Sequence, residues 1–196
     1  DIQMEAGSLI YNRCVISDKT GSESIYLLPK DTAWDTSEVS SIHSRKDYNC
    51  KDSDFICKRF PAVKLDDYSQ KNFSKDQRIF LKLDIEGAEI KALEGAKSFL
   101  SEYNIAGYLE YNPSAWKNGG YKYLDLYRNM LDFDYKLYRI TPLGLKEISY
   151  YSQINETLFC YYFFCKNNRL DELGLKTDLV ERKTGINKSK IFLFKD

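Results

Sequence analysis

Between Ile79 and Gly95 the hydrophobic pattern of the chain changes its period. Ile79, Phe80, Leu81, Leu83 and Ile85 form an apolar run of strand length, interrupted by Lys82 and Asp84. Gly87 punctuates the run. Ala92, Leu93, Ala96, Phe99 and Leu100 then recur at the three-and-four spacing of a buried helix face. The spacing predicts a strand that enters a tight turn and leaves as a helix. Asp84, Glu86 and Glu89 gather at that junction. In an open α/β sheet the carboxyl end of a strand is where ligands sit. Three carboxylates there repel one another unless cations, donors or water compensate.

The residues alone leave two readings of this acidic group open. In one, Glu86 and Glu89 are solvated first-turn acids, favoured by the helix dipole. In the other, Asp84 and Glu86 line a pocket. There they accept hydrogen bonds from a substrate hydroxyl or a cationic cofactor, or they hold a metal.

The stretch Lys82-Leu83-Asp84-Ile85-Glu86-Gly87-Ala88-Glu89, followed by Ala92-Leu93-Glu94-Gly95-Ala96, closely resembles the central motif of FkbM-type methyltransferases. That motif reads Lys-x-Asp-x-Glu-Gly-x-Glu, with Leu-x-Gly-Ala a few residues on. The resemblance implies an S-adenosylmethionine-dependent O-methyltransferase on a Rossmann-like α/β sheet. That sheet would be mostly parallel, with an antiparallel closing strand. The resemblance also implies that Asp84 and Glu86 face the methyl-transfer pocket, and that Asp84 serves the cofactor as well.

With 196 residues the chain has room for one domain and a sizeable core. Lys and Arg total 29, as do Asp and Glu, so the net charge is +0. A balanced charge gives no electrostatic footprint for nucleic acid. The longest apolar run, Leu158 to Cys165, is too short to cross a bilayer. The five cysteines fit no zinc spacing, and their odd number argues against a complete disulfide framework. Cys160 and Cys165 read as core thiols, whereas Cys50 and Cys57 flank a polar loop and are able to pair in an oxidising compartment.

Upstream of the motif, Leu9 to Ile16 reads as a strand and Ser17 to Gly21 as a turn. Ile25 to Leu28 reads as a second strand, forming a hairpin-like unit with the first. Asp18 either starts the turn through its own side chain or, by the family resemblance, lies near the adenine of the cofactor. Lys30 to Phe55 is polar and without period, and a loop of this length is usually functional or disordered. It carries Trp34 and the only histidine, His43, beside Ser40 and Ser41. His43 is either an exposed bystander or a general base for an alcohol, since imidazole titrates near working pH. Ile56 to Val63 reads as a strand, with Pro61 pointing to an edge or a bulge. Asp66 is placed to cap a short helix, and Ser69 to Arg78 reads as a polar linker.

Downstream, Ile105 to Tyr111 is the next predicted strand, with Glu110 near its carboxyl edge. A parallel neighbour would bring Glu110 close to Asp84 and Glu86. Tyr123, Leu124, Tyr127, Met130 and Leu131 mark a helical face. Tyr135 to Ile140 and Leu158 to Cys165 read as closing strands around a turn at Thr141 to Gly144. The strands near Ile79, Ile105, Tyr135 and Leu158 are expected in one sheet, the first two parallel and adjacent. Ile191 to Phe194 suits an edge strand or a partner site.

The resemblance spans about residues 9 to 165. It divides the chain into a partial methyltransferase domain, 1–166, and a charged extension, 167–196. It begins at what would be the third strand of the family domain, so an amino-terminal truncation is expected. No Gly-x-Gly turn occurs in the chain. Such a turn, with an acid ending the second strand, holds the cofactor in this fold. Weak binding of S-adenosylmethionine is therefore expected.

Three functions follow as expectations. The first is O-methyl transfer to a sugar-like or secondary-metabolite hydroxyl, with His43, Glu86 or Glu110 taking the proton. The second is a non-catalytic scaffold or binding module of the same ancestry. The third is a magnesium or calcium site built from Asp84, Glu86 and Glu110, whose oxygens suit hard cations.

Overall fold

The structure, a computed structural model, describes residues 10–27, 40–43, 53, 55–149, 157–166 and 169–175. Its first sheet has three strands: β1 (Val15–Ile16), β2 (Gly21–Leu27) and β3 (Ile56–Val63). The expected long first strand shrinks to two residues, because Ile10 and Tyr11 bury little of their surface. The expected hairpin of β1 with β2 does not form either. Strand β3 lies between them, parallel to β1 and antiparallel to β2. Pro61 is tolerated in this central strand because β1 pairs only with Ala62 and Val63. At Pro61 the β1 side of the ladder asks for no N–H.

Helix α1 (Leu65–Asn72) follows and occupies part of the expected linker, burying Leu65 and Ser69. Strand β4 (Arg78–Leu83) then leads through a turn into α2 (Glu89–Glu94) and α3 (Lys97–Glu102). The periodic stretch is thus two short helices, separated at Gly95 and Ala96. Gly95 is required by contact: a Cβ there would lie 2.2 Å from the Ser17 carbonyl oxygen. The helix can therefore touch the end of β1 only without a side chain at this position. Asp66 does not cap its own helix, whose N-cap residue is Lys64. Its carboxylate instead accepts from the Phe99 N–H at 2.8 Å, in the first turn of α3. The Asp66 N–H donates to the Gly95 carbonyl.

The chain continues through β5 (Asn104–Tyr111), α4 (Pro113–Asn118), α5 (Tyr123–Asp132), β6 (Tyr135–Thr141), β7 (Gly144–Glu147), β8 (Cys160–Lys166) and α6 (Arg169–Glu172). The second sheet has the order β4-β5-β8-β6-β7. All four expected strands are in it, and β4 and β5 are adjacent and parallel. The expected mostly parallel sheet is not what the described strands form. Only β4 with β5 and β1 with β3 are parallel; the other four pairings are antiparallel. The reason lies in the connections. A parallel pair needs a long crossover, and α2 with α3 supplies one between β4 and β5. The two-residue turn at Pro142 and Leu143 can join β6 and β7 only as a hairpin, which makes β7 a strand the sequence pattern missed.

The two faces of this sheet are unequally covered. Leu83, Ile105, Leu109, Tyr111, Leu137, Tyr162 and Phe164 meet helices α1 to α5 in the main core. In α5 the buried residues are Tyr123, Leu126 and Met130. Leu131, expected on that face, is 53% exposed. The opposite face holds a smaller cluster of Ala106, Tyr138, Leu145, Phe163 and Cys165, with Leu170 and Leu175 packed on it. Arg169 pins α6 to this sheet through the Asn104 carbonyl at 2.7 Å. Phe80, on the same face as Tyr108, stays 57% exposed. Cys165 is buried and Cys160 partly so, while Cys50, Trp34 and 191–194 lie outside the described residues.

Candidate active site at the carboxyl ends of the parallel strands

Asp84 and Glu110 reach the same place because β4 and β5 run side by side in register, with Leu83 opposite Leu109. Each carboxylate follows one of these two leucines by one residue. Both therefore stand at the carboxyl edge, on the less covered face. Glu86 joins them by a different route from the one alternation implies. The strand stops at Leu83, and Glu86 lies in a turn with φ 55°. For a residue with a Cβ this left-handed conformation costs about 1–2 kcal/mol, and such strain persists only where the surroundings over-determine it. One carboxylate oxygen from each of Asp84, Glu86 and Glu110 lies within 4.8 Å of the others.

Three contacts hold this turn. Ser41 donates its hydroxyl to the Glu86 carbonyl at 2.6 Å. Gly87, at φ 94°, presses on α4, where a Cβ would come to 3.0 Å from the Ala115 backbone. The third is Glu89, which is fully buried and not a solvated first-turn acid. Its carboxylate accepts from the Ile85 N–H at 3.0 Å and from the Trp116 indole N–H at 2.9 Å. Burial pushes the Glu89 carboxyl up to about 7, against the opposing pull of its hydrogen bonds.

Around the three converging acids the surface mixes charge and aromatic rings. Lys82 pairs with Asp84 at 3.1 Å and lies over the Tyr108 ring. Tyr161 sits opposite Glu110 in the β5–β8 ladder. Burial, then the charges of Glu110 and Asp84, raise its phenol above the usual range. Glu110 is 7% exposed, whereas Asp84 is open to solvent. Carboxylates so arranged can accept hydrogen bonds from hydroxyl groups, take up a proton, or surround a hard cation.

His43 and Asp18 are not part of this group. His43 rests against the far end of α4. Its Nε2 would be 2.6 Å from a Cβ on Gly119, and its ring meets the edge of Tyr121. Burial first, and the Lys91 ammonium second, lower its pKa, so the imidazole is neutral at pH 7. Its Nε2 has no hydrogen-bond partner among the described residues. Asp18 lies 3.6 Å from Lys91, which also binds Glu23 at 2.9 Å. Burial alone would raise Glu23, but Lys91 and the Ser17 hydroxyl outweigh it and hold the carboxyl at about 2. The backbone N–H of His43 donates to the Ser41 hydroxyl oxygen, so Ser41 links the two groups.

Sequence patterns place Asp84, Glu86 and Glu110 correctly at one edge. They miss Glu89 as an interior group, and they miss Trp116, Tyr161 and Lys91. The Glu89 partner lies 27 residues away in sequence, beyond the reach of any local period.

A mixed α/β sheet whose parallel pair is joined through a strand-turn-helix unit is consistent with a methyltransferase-like fold. Residues 3–137 match the methyltransferase FkbM domain, and the chain belongs to that family. No curated protein and no solved structure matches the chain significantly.

Proposed function

We propose that this chain carries the acceptor side of an S-adenosylmethionine-dependent O-methyltransferase, with Asp84, Glu86 and Glu110 as the groups that meet the reacting hydroxyl. The observation that supports this reading is the convergence of the three carboxylate oxygens at the carboxyl ends of β4 and β5. Carboxylates accept hydrogen bonds from hydroxyls and can take the proton released on methylation. Glu110, nearly buried beside the open Asp84, is the best placed of the three to serve as the base. Phe80, Tyr108 and Tyr161 flank the acids with ring surface on which a sugar-like or other secondary-metabolite acceptor can stack.

The cofactor, when bound, supplies an electrophilic methyl group on a sulfonium. An acidic site suits a cationic cofactor, and Asp84 is the exposed acid that would attend it. Asp18 is the candidate for the adenine side, at the end of β1, where Lys91 holds its carboxylate. His43 is neutral and two residues from Ser41, to whose hydroxyl its backbone N–H donates, so it is a candidate proton acceptor for an acceptor group lying between the two clusters.

The test is transfer of labelled methyl from S-adenosylmethionine to a panel of sugars and hydroxylated secondary metabolites. Asp84→Asn and Glu110→Gln are expected to lower transfer by about 10²–10⁴ while the thermal midpoint stays close to that of the parent. Transfer unaffected in both variants rejects the site. A chain that binds both S-adenosylmethionine and the acceptors but never transfers methyl supports the non-catalytic scaffold instead.

A further inference from the structure

Glu89 is the one acid of the motif whose carboxylate faces inward. It grips the peptide N–H of Ile85, the residue between Asp84 and Glu86. Its other oxygen is tied to Trp116, in the middle of α4. That helix starts directly after β5, with Asn112 capping it through the Ala115 N–H at 3.2 Å. The two ends of the Glu89 carboxylate therefore connect the backbone that presents Asp84 and Glu86 to the helix that continues the strand presenting Glu110. A carboxylate that fills the core for its volume alone would not need a donor from each side. A buried acid is also an expensive filler, since apolar residues of similar size pack without desolvating a charge.

We propose that Glu89 is a positioning residue: by clamping the Ile85 peptide to the Trp116 indole it holds Glu86 in its left-handed conformation and keeps Asp84, Glu86 and Glu110 converged. This role rests on the reading of that cluster as the transfer site. The clamp acts through the backbone and touches no substrate. Glu86, from the turn itself, is the charged group that bears on Glu89. Ser41 and Gly87 fix the same turn from outside, but neither connects it to α4 through a group that can change its protonation state.

The test needs neither methyl donor nor acceptor, so a failure of methyl transfer leaves it intact. The full chain is titrated by NMR, following the Trp116 indole N–H, the Ile85 amide, and the side-chain carboxyl carbons of Asp84, Glu86 and Glu110. Trp34→Phe assigns the indole signal, the chain having two tryptophans. One step near pH 7 is expected at Trp116 and Ile85, since burial holds the Glu89 carboxyl at about 7. The same step is expected at the carboxyl carbons of Asp84, Glu86 and Glu110, and Glu89→Gln should remove it from every signal. If Glu89→Gln does not fold, Trp116→Phe serves: losing one donor to the ionised form moves the common step to higher pH. The proposal is overturned if the three carboxyl carbons ignore a step that Trp116 and Ile85 report, or if no step occurs between pH 4 and 9.

Discussion

Replacing Asp84 by Asn keeps the size of the side chain and removes a charge on which the fold does not depend. Its visible partner is Lys82, itself 54% exposed, and such surface pairs contribute about 0–1 kcal/mol. Asp84→Asn and Glu86→Gln are therefore expected to change stability by no more than ~0.5 kcal/mol. Methyl transfer should fall by about 10²–10⁴, the range for losing a group that moves or directs a proton. Denaturant titration and initial rates on the same preparations check both halves, and parallel losses of stability and rate would assign the acids to structure. Glu89 behaves in the opposite way. Its folded pKa is raised, so its stabilising contribution is complete below about pH 4.5 and lost as pH rises through about 7. Wild-type unfolding free energy should drop by about 3 kcal/mol across that window, from the 2.5-unit difference between 4.5 and 7. In Glu89→Gln the slope should be absent, a result that urea denaturation at pH 4.5 and 8 decides.

At the scale of elements, the strand-turn-helix unit was legible because its period is local. Neighbouring residues alone place β4, the break at Gly87 and the apolar face of α2 and α3. The exact form of the turn was not legible, since Glu86 adopts φ 55° under the influence of Ser41 and α4, which come from distant sequence. The same holds for Asp66: its spacing signals a cap, but the helix it caps is α3 and not α1. Asp66→Ala is thus expected to cost about 1 kcal/mol, with the loss appearing as faster amide exchange at Phe99 and not in α1. Gly87→Ala tests the turn from its other side. A methyl group there meets the Ala115 backbone at 3.0 Å and must also accept φ 94°. A destabilisation of about 2 kcal/mol is expected, measured by thermal melting beside Gly120→Ala. Gly120 has a positive φ of 78° but nothing within 4 Å of its Cβ position, so it isolates the backbone part of the penalty.

For the whole molecule, the net charge is +0, and no described helix is long and apolar enough to cross a membrane. The parallel sheet predicted from resemblance gave way to pairings set by connection length, because a motif identifies one strand and its neighbour but not the direction of the rest. The order of strands in the second sheet has one more consequence. Strand β8, the last of the described strands to be made, occupies the middle of the sheet, between β5 and β6. Until Lys166 has been synthesised, β4 with β5 and β6 with β7 are two ribbons with no ladder between them. A nascent chain stalled before Cys160 lacks the strand that joins the two ribbons, and with it Tyr162 and Phe164 of the main core. Non-local pairing of this kind slows folding, and during synthesis it leaves the edges of β5 and β6 open at the same time. Chaperone capture of stalled chains should therefore end abruptly once β8 has cleared the exit tunnel, and it should not decline in steps as each helix emerges.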